Sequence, residues 1–537
     1  MDSCDDEKTP VTSVVPVIVG YDRSLRTVKW IKSSLYVAIL CTLACWAIGC
    51  WAHITGAGNL MVELPYGEFG REAILFGVSL IVTFVNDALG YVHTVALRWA
   101  LYREGKLEWN TNFRLFTSAK TSFANRWYMN MLATGMLTLS YACASLLLIR
   151  SQETQSFVEG GEPREATGVN ALALMLLGAS ILIQVILALL CLREYDTQIP
   201  TWSANPLANT LTALSGHSSV EHRPGRCMMP VTDKDTPAEA QKPAETQPTL
   251  WALRHVKWIV IFLWTLCFVN FIWAISMIKV SVKPLSPSSM ASFRFEWTSE
   301  AFREVELYMT PNRNDSSLVW EFGPGTQMFL GILFLTSVQG VQALGLHCVE
   351  LLVNMSRDEI VWQDARSRRG ARVGKEPLLA ALTSWRTVVL MILKTALHWL
   401  LGQSLVAYGV MASTPDIYDE YGDKIDLGFF SFSISPSRLL IYAAMSAVTA
   451  VFTTVLACWQ IRSPQPAAWG HLQTLADLVD DWRTVDRRFW WGDKGVDADG
   501  VRHAGTCDAP DEVDELDMKA YYAGEHKALL IGFDEEQ

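Results

Sequence analysis

Eight stretches of mostly apolar residues dominate this chain: 31–53, 72–97, 127–149, 169–192, 257–279, 327–353, 386–411 and 437–459. A helix that crosses a bilayer needs about 20 such residues, and core helices of soluble proteins rarely carry that many in a row. The composition agrees. Half of the 537 residues are hydrophobic, 18% are charged and the mean hydropathy is +0.19. Twenty-one Trp residues suit the boundary between lipid and water. The runs are solid rather than alternating, so a β-barrel is not expected. The second, sixth and seventh contain ionisable residues. The expectation is an all-α integral membrane protein with eight spanning helices.

A duplication orders these runs. Leu25-Arg26-Thr27-Val28-Lys29-Trp30-Ile31 and Leu253-Arg254-His255-Val256-Lys257-Trp258-Ile259 agree at six of seven positions, and each leads into an apolar run. Further matches follow in the same order. Glu68-Phe69-Gly70 matches Glu321-Phe322-Gly323, and Ala88-Leu89-Gly90 matches Ala343-Leu344-Gly345, with His93 and His347 just beyond. Thr117-Ser118 matches Thr383-Ser384, and Cys191 matches Cys458. The offset between copies grows only in the connecting segments, where insertions are tolerated. Four runs per copy is an even number, so the copies are expected as two parallel four-helix repeats. The expected divisions are a cytosolic segment 1–24, a first repeat 25–193, a linker 194–252, a second repeat 253–462 and a tail domain 463–537.

Charge sets the orientation. Segments 1–30, 98–126, 193–256 and 354–385 hold 4, 6, 6 and 6 Lys and Arg, whereas 54–71, 150–168, 280–326 and 412–436 hold 1, 2, 4 and 1. The excess of positive residues on the cytosolic side places both termini there. The glycosylation sequon at Asn314 then falls in the largest outer loop, 280–326. The sequon at Asn354 falls on the inner side beside a helix end and is discounted. In the outer loop Phe293, Phe295 and Trp297 alternate with polar residues, and Val319–Phe322 reads as another strand, which together suggest a hairpin cap. About 30 polar residues precede the first run, which reads as a signal anchor rather than a cleaved signal peptide. None of the eleven Cys lies in an outer loop, so structural disulfides are not expected. The Arg-rich stretch 364–376 reads first as the topology signal and, compatibly, as a contact for anionic lipid.

Residues 203–250 are rich in Ser, Pro, Thr, Ala and Glu without an apolar period, as a disordered cytosolic linker would be. Residues 463–537 hold 7 Lys and Arg against 17 Asp and Glu, which accounts for nearly all of the net charge of −11. Such a tail is repelled by nucleic acid, so no nucleic-acid partner is expected. Leu472, Leu475, Val479 and Trp482 recur at helical spacing, and Phe489, Trp490 and Trp491 call for burial. Gly492, Gly495 and Gly505 among Asp and Lys read as turns. His471, His503 and Cys507 match no zinc spacing, and no metal or cofactor is expected. The linker and the tail are the surfaces expected for cytosolic protein partners, beside the lipid bilayer itself.

Charges inside a bilayer are costly and are candidates for function. Asp87 lies mid-run beside Asn86, and its counterpart in the second copy is Gln342. Lys394 and His398 share one helix face, as do His347 and Glu350. An Asp87–Lys394 pair between the second and seventh runs would neutralise both. The candidate intramembrane site is therefore Asp87, Asn86, Gln342, Lys394 and His398. A proton or ion relay is one reading of it. Polar contact between helices, worth around 1 kcal/mol each, is the plainer one. His93 and His347, near helix ends, read as solvated, and Glu350 as snorkelling to the interface. No P-loop, GxSxG, HExxH or kinase motif is present, so no enzyme activity is expected.

Several words in the last third carry a resemblance. They are Leu397-His398-Trp399-Leu400 with Gly402, Gln465-Pro466-Ala467-Ala468, Gly470–Leu478, Trp491-Gly492-Asp493-Lys494-Gly495, His503-Ala504-Gly505-Thr506 and Tyr522-Ala523-Gly524. In these the chain resembles a family of uncharacterised multi-pass membrane proteins of filamentous fungi. The resemblance implies a fungal source and a membrane location, the plasma membrane or one of the secretory route, and no particular activity. The sequence thus leaves two functional classes: a transporter or channel, or a membrane scaffold or sensor acting through its linker and tail.

Overall fold

Each of the eight apolar runs contains a helix, though not all are helical throughout, in the computed structural model. It describes residues 24–55, 61–64, 68–152, 165–193, 199–215, 220–281, 305–308, 324–373, 383–410, 429–480, 482, 488–496 and 500–523. In chain order the helices are α1 (Leu25–Thr55), α2 (Glu68–Arg103), α3 (Trp127–Ser145), α4 (Ala171–Arg193), α5 (Pro206–Leu214), α6 (Arg254–Ser281), α7 (Pro324–Gln363), α8 (Trp385–Ser404), α9 (Pro436–Cys458) and α10 (Leu472–Leu478). The strands are β1 (Met61–Leu64), β2 (Leu148–Gln152), β3 (Glu165–Asn170), β4 (Val305–Tyr308), β5 (Ala371–Arg372), β6 (Leu405–Val410), β7 (Phe429–Ile434), β8 (Arg488–Val496) and β9 (Arg502–Cys507).

Six helices, α1, α2, α4, α6, α7 and α9, are long and apolar enough to cross a membrane, as a polytopic membrane protein requires. The outermost, α1 and α6, present Tyr36, Leu40, Leu43 and Trp51, and Trp258, Ile261, Phe268 and Ile275, on their open faces. Helices α3 and α8 differ: they have 19 and 20 residues and carry Asn130, Ser140, Arg386, Lys394, His398 and Gln403 on buried faces. A helix surrounded by other helices rather than by lipid tolerates such residues when they are bonded. Helices α2 and α7, 36 and 40 residues long, exceed a hydrocarbon core of about 30 Å at about 1.5 Å per residue. Their C-terminal turns therefore project beyond it.

The all-α expectation fails at both ends of the bundle. At one end six strands form a sheet in the order β1-β3-β2-β6-β7-β4. The apolar runs 127–149 and 386–411 stop being helical at Ser145 and Ser404 and pass into β2 and β6. Strands β2 and β6 meet in parallel at Arg150 and Tyr408, while the other neighbours are antiparallel. An apolar run does not reveal where helix gives way to strand. Strand β7 carries a signal that was not read: Phe430-Ser431-Phe432-Ser433-Ile434 alternates with period two. The strands expected at Phe293–Trp297 and Val319–Phe322, and the sequon at Asn314, lie outside the described residues.

At the opposite end, segment 194–252 corrects the expectation of a disordered linker. Its described part is packed. Trp202, Leu207 and Leu250 are fully buried, and Asn205 caps α5 by accepting from the Leu207 N–H at 2.9 Å, with Pro206 in the first turn. Trp99 and Arg98, on the projecting end of α2, donate to the carbonyls of Thr201 and Ser203 at 2.9 and 2.8 Å. The polar residues that read as solvated are spent on caps and on the end of α2. The tail joins the same core: Leu475, Phe489 and Trp491 pack with Leu207, Cys227 and Trp362. Gly492 and Gly505, expected in turns, face each other across the β8–β9 ladder. A side chain at Gly505 would overlap the Asp480 carboxylate, so a close approach and not a turn requires glycine there.

The projecting end of α7 holds the tail in place. Glu359 accepts from the backbone N–H groups of Ala468 and Trp469 at 2.9 and 2.6 Å. Trp362 donates to the Pro466 carbonyl at 2.7 Å. Asp358 accepts from Asn110 at 2.8 Å and packs on Gly470, whose φ of +78° favours glycine. Gly470→Ala combines that strain with a clash against Asp358 and should cost about 1–3 kcal/mol. Thermal unfolding of the purified protein in detergent, with limited proteolysis of segment 460–523 as a second readout, measures it. An unchanged midpoint and cleavage pattern would count against the docking described.

Candidate intramembrane polar site

Three helices meet at one cation. Lys394, in the middle of α8, has its side chain only 4% exposed. Its Nζ lies 2.8 Å from Asp87 Oδ1 on α2 and 3.0 Å from Glu350 Oε2 on α7. His347 Nδ1 is 2.9 Å from the same Glu350 oxygen. The carboxylates are not sealed: the Asp87 and Glu350 side chains are 27% and 34% exposed. Arg114, from the loop between α2 and α3, lies within electrostatic range of both, against Gly90. A Cβ at Gly90 would overlap the guanidinium, so Ala88-Leu89-Gly90 supplies a place for a cation.

The sequence brought Asp87 and Lys394 forward as a pair, and the two side chains are in contact. Glu350 differs from its reading. It turns inward onto Lys394 instead of reaching for the interface. His347, bonded to Glu350, is only 15% exposed and so is not a solvated side chain. His93 is also buried, with Nε2 3.0 Å from the Ala124 carbonyl oxygen. The first contact lies within α7 and the second joins α2 to the segment before α3, and helix-end position reveals neither.

One turn beyond Lys394, His398 stacks on the Tyr141 ring with centroids 3.5 Å apart. Its Nδ1 is 2.7 Å from Gln339 Oε1, and Gln339 Nε2 donates to the His398 carbonyl at 3.2 Å. Asn86 donates to Ser140 at 2.9 Å and accepts from Gln184 at 3.2 Å, joining α2, α3 and α4. Gln342 accepts from the Tyr442 hydroxyl and joins α7 to α9. Asn86 and Gln342 are thus helix contacts, whereas Lys394 and His398 belong to a line of polar groups along α8. Gln403, on the other side of α8 and nearer its C-terminal end, accepts from Arg438 at 3.2 Å, and Arg438 pairs with Glu72 at 3.0 Å. Arg438 and Glu72 were missed because each sits in the first turns of its helix, at the edge of an apolar run. Lys394 and Gln403, nine residues apart, span about 13 Å along α8.

The three tail residues considered for a metal are apart, and no group of three or more His, Cys, Asp or Glu suited to a metal occurs among the described residues. His471 caps α10, its Nδ1 accepting from the Thr474 N–H at 3.2 Å, and burial pushes its pKa down to about 3. Cys507 donates weakly to the Glu512 carbonyl. His503 pairs with Asp480 at 2.8 Å, and Asp480 also receives Lys494 at 3.0 Å and the Thr506 N–H at 2.6 Å. Burial alone would raise the Asp480 pKa, but these partners hold it well below the usual carboxylate range. Burial would lower that of His503, but its bonds to Asp480 and Cys227 raise it to about 10.

No family model, curated protein or solved structure matches the chain.

Two outcomes are expected. Lys394→Met leaves two carboxylates without their cation. Because neither carboxylate is fully buried, the loss should sit near the low end of about 3–5 kcal/mol, and Asp87→Asn with Glu350→Gln should restore much of it. Thermal unfolding in detergent reads this, and a triple variant no more stable than Lys394→Met would refute the ion cluster. In the tail, the raised pKa of His503 contributes stability in full below the unfolded value of about 6.5. That contribution is lost as pH rises towards 10. The depressed Asp480 adds stability above about pH 4, lost on acidification. Protease resistance of the tail should therefore fall between pH 6.5 and 10, and His503→Gln should flatten that slope.

Proposed function

We propose that this chain is a transporter or channel that moves protons or small cations along the polar line from Asp87, Glu350 and Lys394 through His398 to Gln403, Arg438 and Glu72. The observation that carries the reading is the half-open ion cluster. A buried lysine lies between two carboxylates whose side chains are only partly buried, and its own helix also carries His398 and, further on, Gln403, which is bonded to a second ion pair. Ionisable residues at this depth line ion and proton paths in membrane proteins.

The same proposal takes α1–α4 and α6–α9 as eight spans in two parallel halves about a pseudo-twofold axis along the membrane normal. The order β1-β3-β2-β6-β7-β4 supports this, since exchange of β1 with β4, β3 with β7 and β2 with β6 leaves it unchanged. So does the parallel meeting of β2 and β6, because a twofold axis that runs along two strands makes them parallel. The helix neighbours agree: α1 packs on α4 as α6 packs on α9, and α3 packs on α7 as α8 packs on α2. Charge bias then sets the linker, the tail and both termini in the cytosol. Membership of the fungal family suggested by the tail words is part of the same reading. The words Gly470–Leu478, Trp491–Gly495 and His503–Thr506 form the docked core of the tail.

The second reading, a scaffold or sensor, is favoured by the extent of the packed domain that linker and tail build together. The two part on one experiment. The purified protein is reconstituted in vesicles containing a pH-sensitive dye, and proton or cation flux is followed under an imposed gradient. Asp87→Asn should lower flux at least about tenfold, with insertion and folding retained. Wild-type vesicles no leakier than empty ones to protons, sodium and potassium would leave the scaffold reading standing.

A further inference from the structure

The polar contacts of the bundle leave out a cation at the start of α8. Lys394, His398 and Gln403 on this helix are each bonded to a neighbouring helix. Arg386, in its first turn, is 8% exposed. Its Nε is closed off from water without a hydrogen-bond partner, and no carboxylate among the described residues pairs with the guanidinium. A guanidinium taken out of water is costly unless an acceptor meets it. Arg98 and Arg226, as deeply buried, each bond backbone carbonyls. The position of Arg386 calls for an anion.

The start of the helix is open as well. Ser384 stands at the N-cap with no side-chain bond, and the first bond of the helix runs from the Val388 N–H to the Ser384 carbonyl. The N–H groups of Trp385, Arg386 and Thr387 therefore have no acceptor within α8. The Thr387 hydroxyl is buried without a partner too. Arg386 turns back over this end, its guanidinium carbon 5.2 Å from the centroid of the Trp385 ring. Aligned N–H groups, the positive end of a helix dipole and a guanidinium fork are the donors that a phosphate takes.

The surroundings favour a lipid phosphate over a soluble one. The ring beside the guanidinium is the way in, since Trp385 is 54% exposed. Val388 and Ile392, next on the same open face, are 40% and 61% exposed. The three make an apolar track of about two turns that leads from the guanidinium along the bundle. A free phosphate has no use for such a track, whereas an acyl chain covers it. Helix α8 starts at the end of the bundle opposite β6, which follows its last residue. With α8 as a span, the guanidinium then lies at headgroup level, where basic pockets between spanning helices take anionic headgroups. We propose that the start of α8 is a binding site for an anionic phospholipid. The Arg386 fork and the first N–H groups of the helix hold its phosphate, and an acyl chain lies along Trp385, Val388 and Ile392. The site depends on α8 spanning the bilayer and not on transport.

The test follows thermal unfolding of the full-length protein in neutral detergent with phosphatidic acid, with phosphatidylcholine of the same acyl chains, and with inorganic phosphate. Phosphatidic acid should raise the midpoint at a concentration at least about tenfold lower than phosphatidylcholine needs. Arg386→Met removes an unpaired buried charge, so its midpoint without lipid should lie above that of the wild type. Phosphatidic acid should then add no more to it than phosphatidylcholine does. Arg254→Gln, at an exposed basic residue of α6, should keep the wild-type response. Equal responses of the wild type to the two lipids, or of Arg386→Met and the wild type to phosphatidic acid, would overturn the site. Inorganic phosphate as effective as phosphatidic acid would overturn the choice of a lipid. Where Arg386→Met does not fold, Arg386→Lys, which keeps the charge without the fork, should still weaken the response to phosphatidic acid.

Discussion

The contact of Lys394 with Asp87 and Glu350 is what the bundle is built around. It joins α8 to α2 and to α7, and those two helices reach out of the membrane to carry the polar domain. A charge at this depth is costly to desolvate, and only a partner with good geometry offsets the cost. Two carboxylates from two helices are such partners, each short of full burial. The remaining helices can then pack by shape, with single polar bonds at Asn86, Gln184, Gln342 and Tyr442.

The ends of α2 and α7 turn this core into a platform. Arg98 and Trp99 take the linker by its carbonyls, and Glu359 takes the tail by its N–H groups. One helix thus offers donors and the other an acceptor, and both address backbone rather than side chains. Asn110 connects the two, since its amide bonds Asp358 and its carbonyl receives Arg98. Glu350 in the ion cluster and Glu359 at the tail stand nine residues apart on one continuous helix.

Much of this was legible. Every apolar run contains a helix, and the Asp87–Lys394 pair followed from the need to neutralise two charges in one bilayer. Asymmetry of chemistry made it visible: one acid and one base stood out against apolar background. What the sequence did not reveal shares a cause. The linker, Glu350, His93 and the strands after α3 and α8 all depend on partners in other elements, 31 residues away at His93 and more than a hundred at the linker. A Ser- and Pro-rich segment reads alike whether its polar groups meet water or meet Arg98. The tail glycines misled for a related reason: Gly505 reads as a turn until Asp480 is seen lying against it.

If the two halves are read as the proposed repeat, the departures from repetition are informative. Where the first copy has Asp87, the second has Gln342, which bonds Tyr442 within its own half. Had both positions been acidic, the second acid would lie among neutral groups with no cation at hand, at a cost of several kcal/mol. Had both been neutral, Lys394 would rest on Glu350 alone. The charges are instead gathered on one side of the proposed axis, where α2 of one half meets α7 and α8 of the other. On the proposed duplication, the scaffold has a single charged seam and its two halves differ in what they bring to it. The first brings Asp87 and the Gly90 seat for Arg114, and the second brings the lysine, the histidine and the helix that reaches the tail.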